Sequence, residues 1–425
     1  MGRDGTGEDL VPVQYQRLFG SRTGIIRKVL TRLPERSGPA VSTTEPLMTD
    51  HTRIPGHGYE PSINASGKGD SLSESLLLTV GEAIERYCVR FPPQDEFDRA
   101  TYADLQGRAD ADVVDFEYLD IFDVPPDAPL DPPSRDTTLD WAVGTNLLDG
   151  TETYVPAELV WFMNASGDAD RHFTSTSNAV AAGKSPEMAL TNALLEAVER
   201  DALIWTWLYQ RRPQRVDLSR FPEVRERVTE AFDHDFLDVH LSKLDGRVDL
   251  PVVGATVVDQ RDRYPKFAIA GNADFTWTDA LTGAVFEAAQ CYTYLRSLVK
   301  DDEDLSLDQT ITNFTDNAYL YGDPELYDEV EFLTGAPDDD AVVPDDDDPT
   351  LDWSEKLQRC LSAVEDAGFT PIAFDLTTPD ARDVGIDVVR VFVPELLPLP
   401  FPSVPPTDHP AVDESAITTR PHPIP

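Results

Sequence analysis

The reading turns on two stretches, SGKGDSLSESLLLTVGEAIERY at Ser66–Tyr87 and TSNAVAAGKSPEMALTNALLEAVERDAL at Thr176–Leu203. In each, a glycine-bounded loop runs into a long apolar helix pattern, giving predicted helices at Leu72–Arg90 and Met188–Gln210. Each helix carries a Glu-x-x-Glu-Arg run: Glu82, Glu85 and Arg86 in the first, and Glu196, Glu199 and Arg200 in the second. Residues three apart share a helical face, so each run presents a carboxylate pair. The distance from the preceding glycine also matches, because Gly69 to Glu82 and Gly183 to Glu196 are both thirteen residues. A third predicted helix, Asp279–Val299, contains ALTGAVFEAAQ (Ala280–Gln290), which agrees with ALTNALLEAVE (Ala189–Glu199) at six of eleven positions. These three related helices predict a pseudo-repeated core in which acidic helices converge.

A single Glu-x-x-Glu-Arg run is ordinarily an exposed, salt-bridged helix face. Here the flanking residues are apolar: Leu76, Val80, Ala83 and Ile84 on one helix, and Ala193, Leu194, Ala197 and Val198 on the other. Carboxylates on buried faces are costly unless cations neutralise them. Mg²⁺ meets that need, since it takes carboxylate oxygens together with waters and phosphates. The loops ahead of the helices offer backbone N–H groups and Lys68 to phosphate oxygens. Neither GKG nor GKS fits the full P-loop pattern, so a P-loop is excluded.

Outward from these blocks, a strand is expected at Thr23–Leu30, and residues 92–140 read as acidic, Pro-rich surface loops. Strands follow at Pro251–Val258, Lys266–Ala270, Thr370–Leu376 and Asp387–Val393, with a helix at Trp353–Ala367. Alternating helices and strands give an α/β or α+β fold class. The expected organisation is a short N-terminal segment (1–45) packed on one main domain (46–425). That domain carries an acidic insertion at 336–350 and a Pro-rich tail at 398–425.

The 425 residues carry 78 Asp and Glu against 35 Lys and Arg, a net charge of −43. Such a surface repels phosphate backbones and anionic lipids, which argues against nucleic acid or membranes as partners. Only seven of the basic residues are Lys. Acid excess with scarce lysine suits a high-salt cytoplasm, where screening shortens repulsion to a few ångströms. A cytoplasmic protein of a halophile is therefore expected. Cys88, Cys291 and Cys360 form no metal or disulfide pattern, and Cys88 and Cys291 are expected in the core. No apolar run is long enough to span a bilayer.

The two quoted blocks resemble the signature blocks of YcaO-domain proteins. TDALTGAVFEAAQ (Thr278–Gln290), DLTTPDARDVGIDVVRVFVPELLPL (Asp375–Leu399) and the terminal PHPIP (Pro421–Pro425) follow in family order, so the resemblance spans nearly the whole chain. It implies a YcaO-like fold and an enzyme that uses ATP and Mg²⁺ to phosphorylate a peptide-bond oxygen. Attack by a side-chain nucleophile then gives an azoline, and attack by a sulfur donor gives a thioamide. By this resemblance Glu82, Glu85, Glu196 and Glu199 hold Mg²⁺ and phosphates, while Lys68, Ser71, Arg86 and Arg200 contact the nucleotide. Pro421, Pro423 and Pro425 fall at the catalytic end.

The expected partners are a peptide or protein substrate and a separate leader-binding or TfuA-like protein, because the 45-residue start is too short for a fused leader-binding domain. The apolar run Leu203–Leu208 is offered as a homodimer face. Three departures from the family pattern, Lys184, Met188 and Tyr292, replace nucleotide-contacting groups, with Lys184, Glu187 and Arg296 close enough to substitute. They sustain an alternative, a non-catalytic YcaO scaffold that binds a peptide or partner protein and assists another enzyme.

Overall fold

The computed structural model describes residues 11–34, 36–49, 65–69, 71–93, 96–108, 111–119, 133–162, 172–173, 176–298, 311, 314–336, 341–342, 344–345 and 350–425. The loop at 55–64 and most of the acidic stretch 336–350 lie outside them. In chain order the first half contains β1 (Ile26–Arg32), β2 (Ser42–Met48), β3 (Gly67–Gly69), α1 (Leu72–Cys88), β4 (Asp98–Thr101) and α2 (Tyr102–Gln106). It continues with β5 (Asp112–Val113), β6 (Thr138–Asn146), β7 (Glu152–Pro156), α3 (Ala157–Val160), β8 (Val180–Gly183) and α4 (Pro186–Leu208). The second half holds β9 (Gln214–Arg215), α5 (Pro222–Ala231), β10 (Leu237–Lys243), β11 (Val252–Asp259), β12 (Phe267–Ala273) and α6 (Trp277–Ser297). Last come α7 (Phe314–Tyr321), α8 (Tyr327–Val330), α9 (Trp353–Asp366), β13 (Ile372–Asp375), α10 (Pro379–Arg382) and β14 (Asp387–Phe392).

The chain divides into two units. One comprises Met1–Leu33, Ser42–Leu194 and Asp352–Glu395; the other comprises Pro34–Val41, Leu195–Leu351 and Leu396–Pro425. The boundary falls within α4. The first unit holds an antiparallel three-stranded sheet in the order β1-β2-β3. Its second sheet runs β5-β7-β6-β13-β14-β8, with β4 also pairing β6. α1 packs on β2, β3 and β8, burying Leu76, Val80, Ala83 and Ile84. The helix starts where Ser71 Oγ accepts the Glu74 N–H, which satisfies one of the unpaired donors of the first turn.

Residues 92–140 correct the expectation of surface loops. β4, α2 and the start of β6 lie there, and Tyr102, Leu105 and Leu139 enter the same core as Trp141, whose indole N–H donates to Ala100 O at 3.0 Å. Their strands are separated by Pro- and acid-rich sequence, so no periodic run marks them.

The second unit is built on the sheet β12-β11-β10-β9. All eight β11 residues are buried, as an unbroken apolar run requires when both faces are covered. α6 lies against β11 and β12, and α5 lies against α6. Close approach of α6 to the sheet needs Gly283, since a Cβ there would stand 2.4 Å from Asn272 Nδ2. Leu203, Ile204, Trp207 and Leu208 are buried within this unit. The proposed homodimer face is therefore interior surface: the apolar run packs against the chain's own side chains.

Candidate functional site

On α1, the half-buried Glu82 and Glu85 are each gripped by a backbone N–H. Ser66 N–H donates to Glu82 Oε2 at 2.8 Å, and Ala182 N–H donates to Glu85 Oε1 at 2.9 Å. Arg86 adds an ion pair to Glu82 Oε1 at 3.3 Å. The strand bearing Lys68 is fixed onto α1 by buried hydroxyls that the sequence reading missed. Gly67 N–H donates to Thr79 Oγ1, Ser75 Oγ donates to Gly67 O, and Thr44 Oγ1 lies 2.8 and 2.6 Å from Ser75 Oγ and Thr79 Oγ1. Nothing larger than glycine fits at 67, because a Cβ would come within 1.9 Å of Ser75 O. Ser and Thr at i and i+4 ahead of the glutamates were the available signal.

The run ahead of β8 is held by Arg390 of β14. Its buried guanidinium donates to Val160 O at 2.9 Å, Asn178 O at 3.1 Å and Thr176 O. Between these anchors Ala179 adopts φ +54°, a left-handed backbone that costs a non-glycine residue about 1 kcal/mol. Arg390 and the β8–β14 pairing sustain this turn, and three residues later Ala182 delivers its N–H to Glu85.

In the second unit, Arg200 lies 3.6 Å from Glu196 and 3.3 Å from Glu199, all three partly buried. The next residue, Asp201, is buried and receives Leu397 N–H at 2.9 Å together with both prongs of Arg247. This fastens the helix turn that carries the second carboxylate pair.

The terminal segment is not a frayed end. Pro421 and Pro423 carry no N–H, so the segment cannot pair as a strand, and side chains read its carbonyls instead. Trp207 Nε1–H donates to Arg420 O at 3.2 Å, Tyr321 O–H to Pro421 O at 2.7 Å, and Asn317 Nδ2–H to His422 O and to Ile424 O at 2.9 Å. His422 is a buried structural group. Its Nε2 sits 2.9 Å from Pro400 O and its Nδ1 3.1 Å from Asn317 Nδ2, which assigns the neutral tautomer protonated on Nε2. Burial pushes its pKa down to about 4, with the Arg200 charge acting in the same direction.

The other residues singled out in the sequence have partners of their own. Tyr292 points into the core, donating to Asp259 Oδ2 at 2.9 Å, and Arg261 grips the same carboxylate at 2.9 and 2.5 Å. Burial works to raise the Asp259 pKa; the hydrogen bonds from Arg261 and Tyr292 outweigh it. Arg296, considered as a substitute nucleotide contact, binds Ser37 O and Oγ. Ser71 Oγ is the α1 cap. Cys88 and Cys291 are core thiols, pushed up by burial to about 11 and about 12.

With this geometry in view, the comparisons with known proteins are decisive. Residues 66–397 match the family model described as YcaO cyclodehydratase, ATP- and Mg²⁺-binding. The chain belongs to the YcaO family. This YcaO chain is an enzyme of that type, with ATP and Mg²⁺ as cofactors.

An uncharacterized protein of Methanothermobacter thermautotrophicus is 26% identical over 404 residues, covering 91% of this chain and 94% of its own length. A protein described as lying in a tfuA 3′ region of Rhizobium leguminosarum bv. trifolii is 29% identical over 154 residues, covering 36% of this chain and 34% of its own. The fold matches a heterocyclase solved with substrate and cofactor, with TM-score 0.75, 23% identity, and coverage of 99% of this chain and 57% of that one. It also matches YcaO from Methanopyrus kandleri bound with AMPPCP and Mg²⁺, with TM-score 0.64, 21% identity, and coverage of 90% and 89%.

The donor set suits these cofactors. Carboxylate oxygens are the ligands Mg²⁺ prefers, and Glu82, Glu85, Glu196 and Glu199 are only partly covered, so their oxygens remain reachable. Among the described residues no three His, Cys, Asp or Glu side chains form a group able to hold a metal. The carboxylates are satisfied by N–H groups and arginines instead.

Proposed function

We propose that the chain activates a backbone amide of a peptide or protein substrate for azoline formation or thioamidation, acting with a separate partner protein. The observation that carries this reading is the matched pair of Glu-x-x-Glu-Arg turns, each partly buried and each with an arginine on its carboxylates. Bound ATP supplies the phosphoryl group that turns an amide oxygen into a leaving group, and Mg²⁺ offsets the charge on its phosphates. Glu82, Glu85, Glu196 and Glu199 would hold the metal, and on α1 the Ser66 and Ala182 N–H groups orient Glu82 and Glu85. Arg86, Arg200 and Lys68 contact phosphate oxygens. Pro421, Pro423 and Pro425 belong to the catalytic end on this reading, and Asn317, Tyr321 and Trp207 hold that segment through its carbonyls. The relative from a tfuA 3′ region supports a TfuA-like partner. The acid-rich composition supports a halophilic host.

Calorimetry with Mg²⁺ and a non-hydrolysable ATP analogue in molar KCl tests the site. Micromolar binding is expected in the wild type, with at least a tenfold loss in both Glu82→Gln and Glu196→Gln. Absence of binding in a folded wild type would overturn the catalytic reading and favour the scaffold.

A further inference from the structure

In a chain of net charge −43, residues 11–44 contain one acidic residue, Glu35, and six basic ones: Arg17, Arg22, Arg27, Lys28, Arg32 and Arg36. Three of the six lie on β1, the terminal strand of the sheet β1-β2-β3. A bulge between Ile26 and Lys28 breaks the alternation, so that Arg27 and Lys28 are both exposed. Bulges re-aim side chains in this way. Arg32 pairs with Glu45 at 2.8 Å. Among the described residues, Arg17, Arg22, Arg27 and Lys28 make no ion pair, although acids outnumber bases 78 to 35 in the chain. Cations clustered and left unpaired amid such an excess of acid are spaced for something outside the fold.

The strand beside them has the geometry to receive it. Phe19 and Gly20 close the outer edge of β1 at Ile26, the latter by its N–H to Ile26 O at 3.0 Å. Beyond that point, among the described residues, Lys28–Arg32 pair on one side only, with β2. Their solvent face carries Leu30, with Leu47 opposite Lys28 on β2, and both leucines are nearly half exposed. An open edge is a template for another strand, with main-chain bonds giving affinity and alternate side chains giving selectivity.

We propose that the edge of β1 docks an acidic, extended peptide segment, added as a fourth strand to β1-β2-β3. Its carboxylates meet Arg27 and Lys28, and its apolar side chains cover Leu30 and Leu47. Five edge residues span roughly 16 Å, enough for a segment of about five residues. A nucleic acid would meet the same cations, but it has no use for the main-chain groups or the leucines, and the remaining surface repels it. The inference is independent of the nucleotide chemistry.

The test uses the full chain and a fluorescein-labelled decapeptide whose one face carries Glu and then Val (Glu-Thr-Glu-Thr-Glu-Thr-Val-Thr-Val-Thr), read by fluorescence anisotropy at several KCl concentrations at which circular dichroism shows the protein folded. The acidic peptide is expected to bind at least tenfold more tightly than the same decapeptide with Lys in place of each Glu. The double variant Arg27→Glu, Lys28→Glu, its melting temperature unchanged, is expected to lose at least tenfold. Bound peptide should slow amide exchange at residues 28–32. Equal affinity for the two peptides, indifference to the charge reversal, or no protection at 28–32 would each overturn the proposal. Tighter binding of a labelled oligothymidylate than of the acidic peptide would overturn it in favour of nucleic acid.

Discussion

Acid should loosen the terminal segment through His422. The ring is buried between Asn317 and Pro400 O, and burial lowers its pKa from the ordinary 6.5 to about 4. As pH falls, the unfolded chain takes up the proton first. The stability contribution is therefore complete above pH 6.5 and is lost progressively as pH falls toward 4. A displacement of this size corresponds to about 3 kcal/mol in full, and about 2 kcal/mol of it disappears between pH 7.5 and pH 5. That interval stays above the isoelectric point near 4.3.

Urea unfolding of the wild type and of His422→Asn, followed across this interval in molar KCl, isolates the effect, because every other titrating group is common to both. The free-energy gap between the two proteins should shrink by about 2 kcal/mol from pH 7.5 to pH 5. In parallel, the His422 ring signal, followed by carbon-13 labelling of histidine, should hold its neutral shift at pH 5. A gap that stays constant with pH, or a ring that titrates near 6.5, would refute the buried neutral tautomer and with it the account of how the tail is fixed.

Gly67→Ala sets a Cβ against the Ser75 carbonyl at 1.9 Å and the Thr79 nitrogen at 2.5 Å, backbone atoms that cannot swing aside. It should cost at least about 2 kcal/mol in urea unfolding. Gly81→Ala, inside α1 with nothing within 4 Å of the added carbon, should be neutral or stabilising by up to about 1 kcal/mol. Tyr292→Phe removes one donor from Asp259 while Arg261 keeps its grip, so it should cost about 1 kcal/mol and leave nucleotide affinity unchanged. A tenfold loss of affinity in a calorimetric titration would show that Tyr292 serves the nucleotide site after all.

What the sequence discloses depends on the range of the interaction involved. α1, α4 and α6 are legible because their apolar period is local, and Glu82 and Glu196 stand out because the same turn recurs at the same distance from a glycine. β1, β11, β12 and β14 are legible as short β-branched runs. The strands within 92–140 are not, because they are set among Pro- and acid-rich sequence and their identity comes from pairing with partners such as Trp141 on β6. The partner of Tyr292 is not legible, because a helix position gives no hint of the buried Asp259 opposite it, 33 residues earlier in the chain. The run Leu203–Leu208 misled for the same reason: six mostly apolar residues describe a surface that needs covering, and only the tertiary fold shows that this unit covers it. The terminal segment shows the limit most clearly, since its order comes from Asn317 and Tyr321, four apart on α7 and about a hundred residues away in sequence.

The arginine that follows each carboxylate pair has a physical explanation. Two carboxylates one turn apart on a half-buried helix face repel each other, and without a counter-charge the face would be destabilised. Arg86 against Glu82, and Arg200 against Glu196 and Glu199, supply that charge from within the same helix turn. The ion pairs are long, at 3.3 to 3.6 Å, and made by flexible side chains. The Ser66 and Ala182 N–H groups instead hold their carboxylates at 2.8 and 2.9 Å from fixed backbone. The two kinds of partner divide the work: backbone donors set where a carboxylate points, and the arginine occupies it replaceably. On the proposed reading a divalent cation would displace the arginine and not the backbone donor, which would give the Glu-x-x-Glu-Arg turn a physical reason to appear twice.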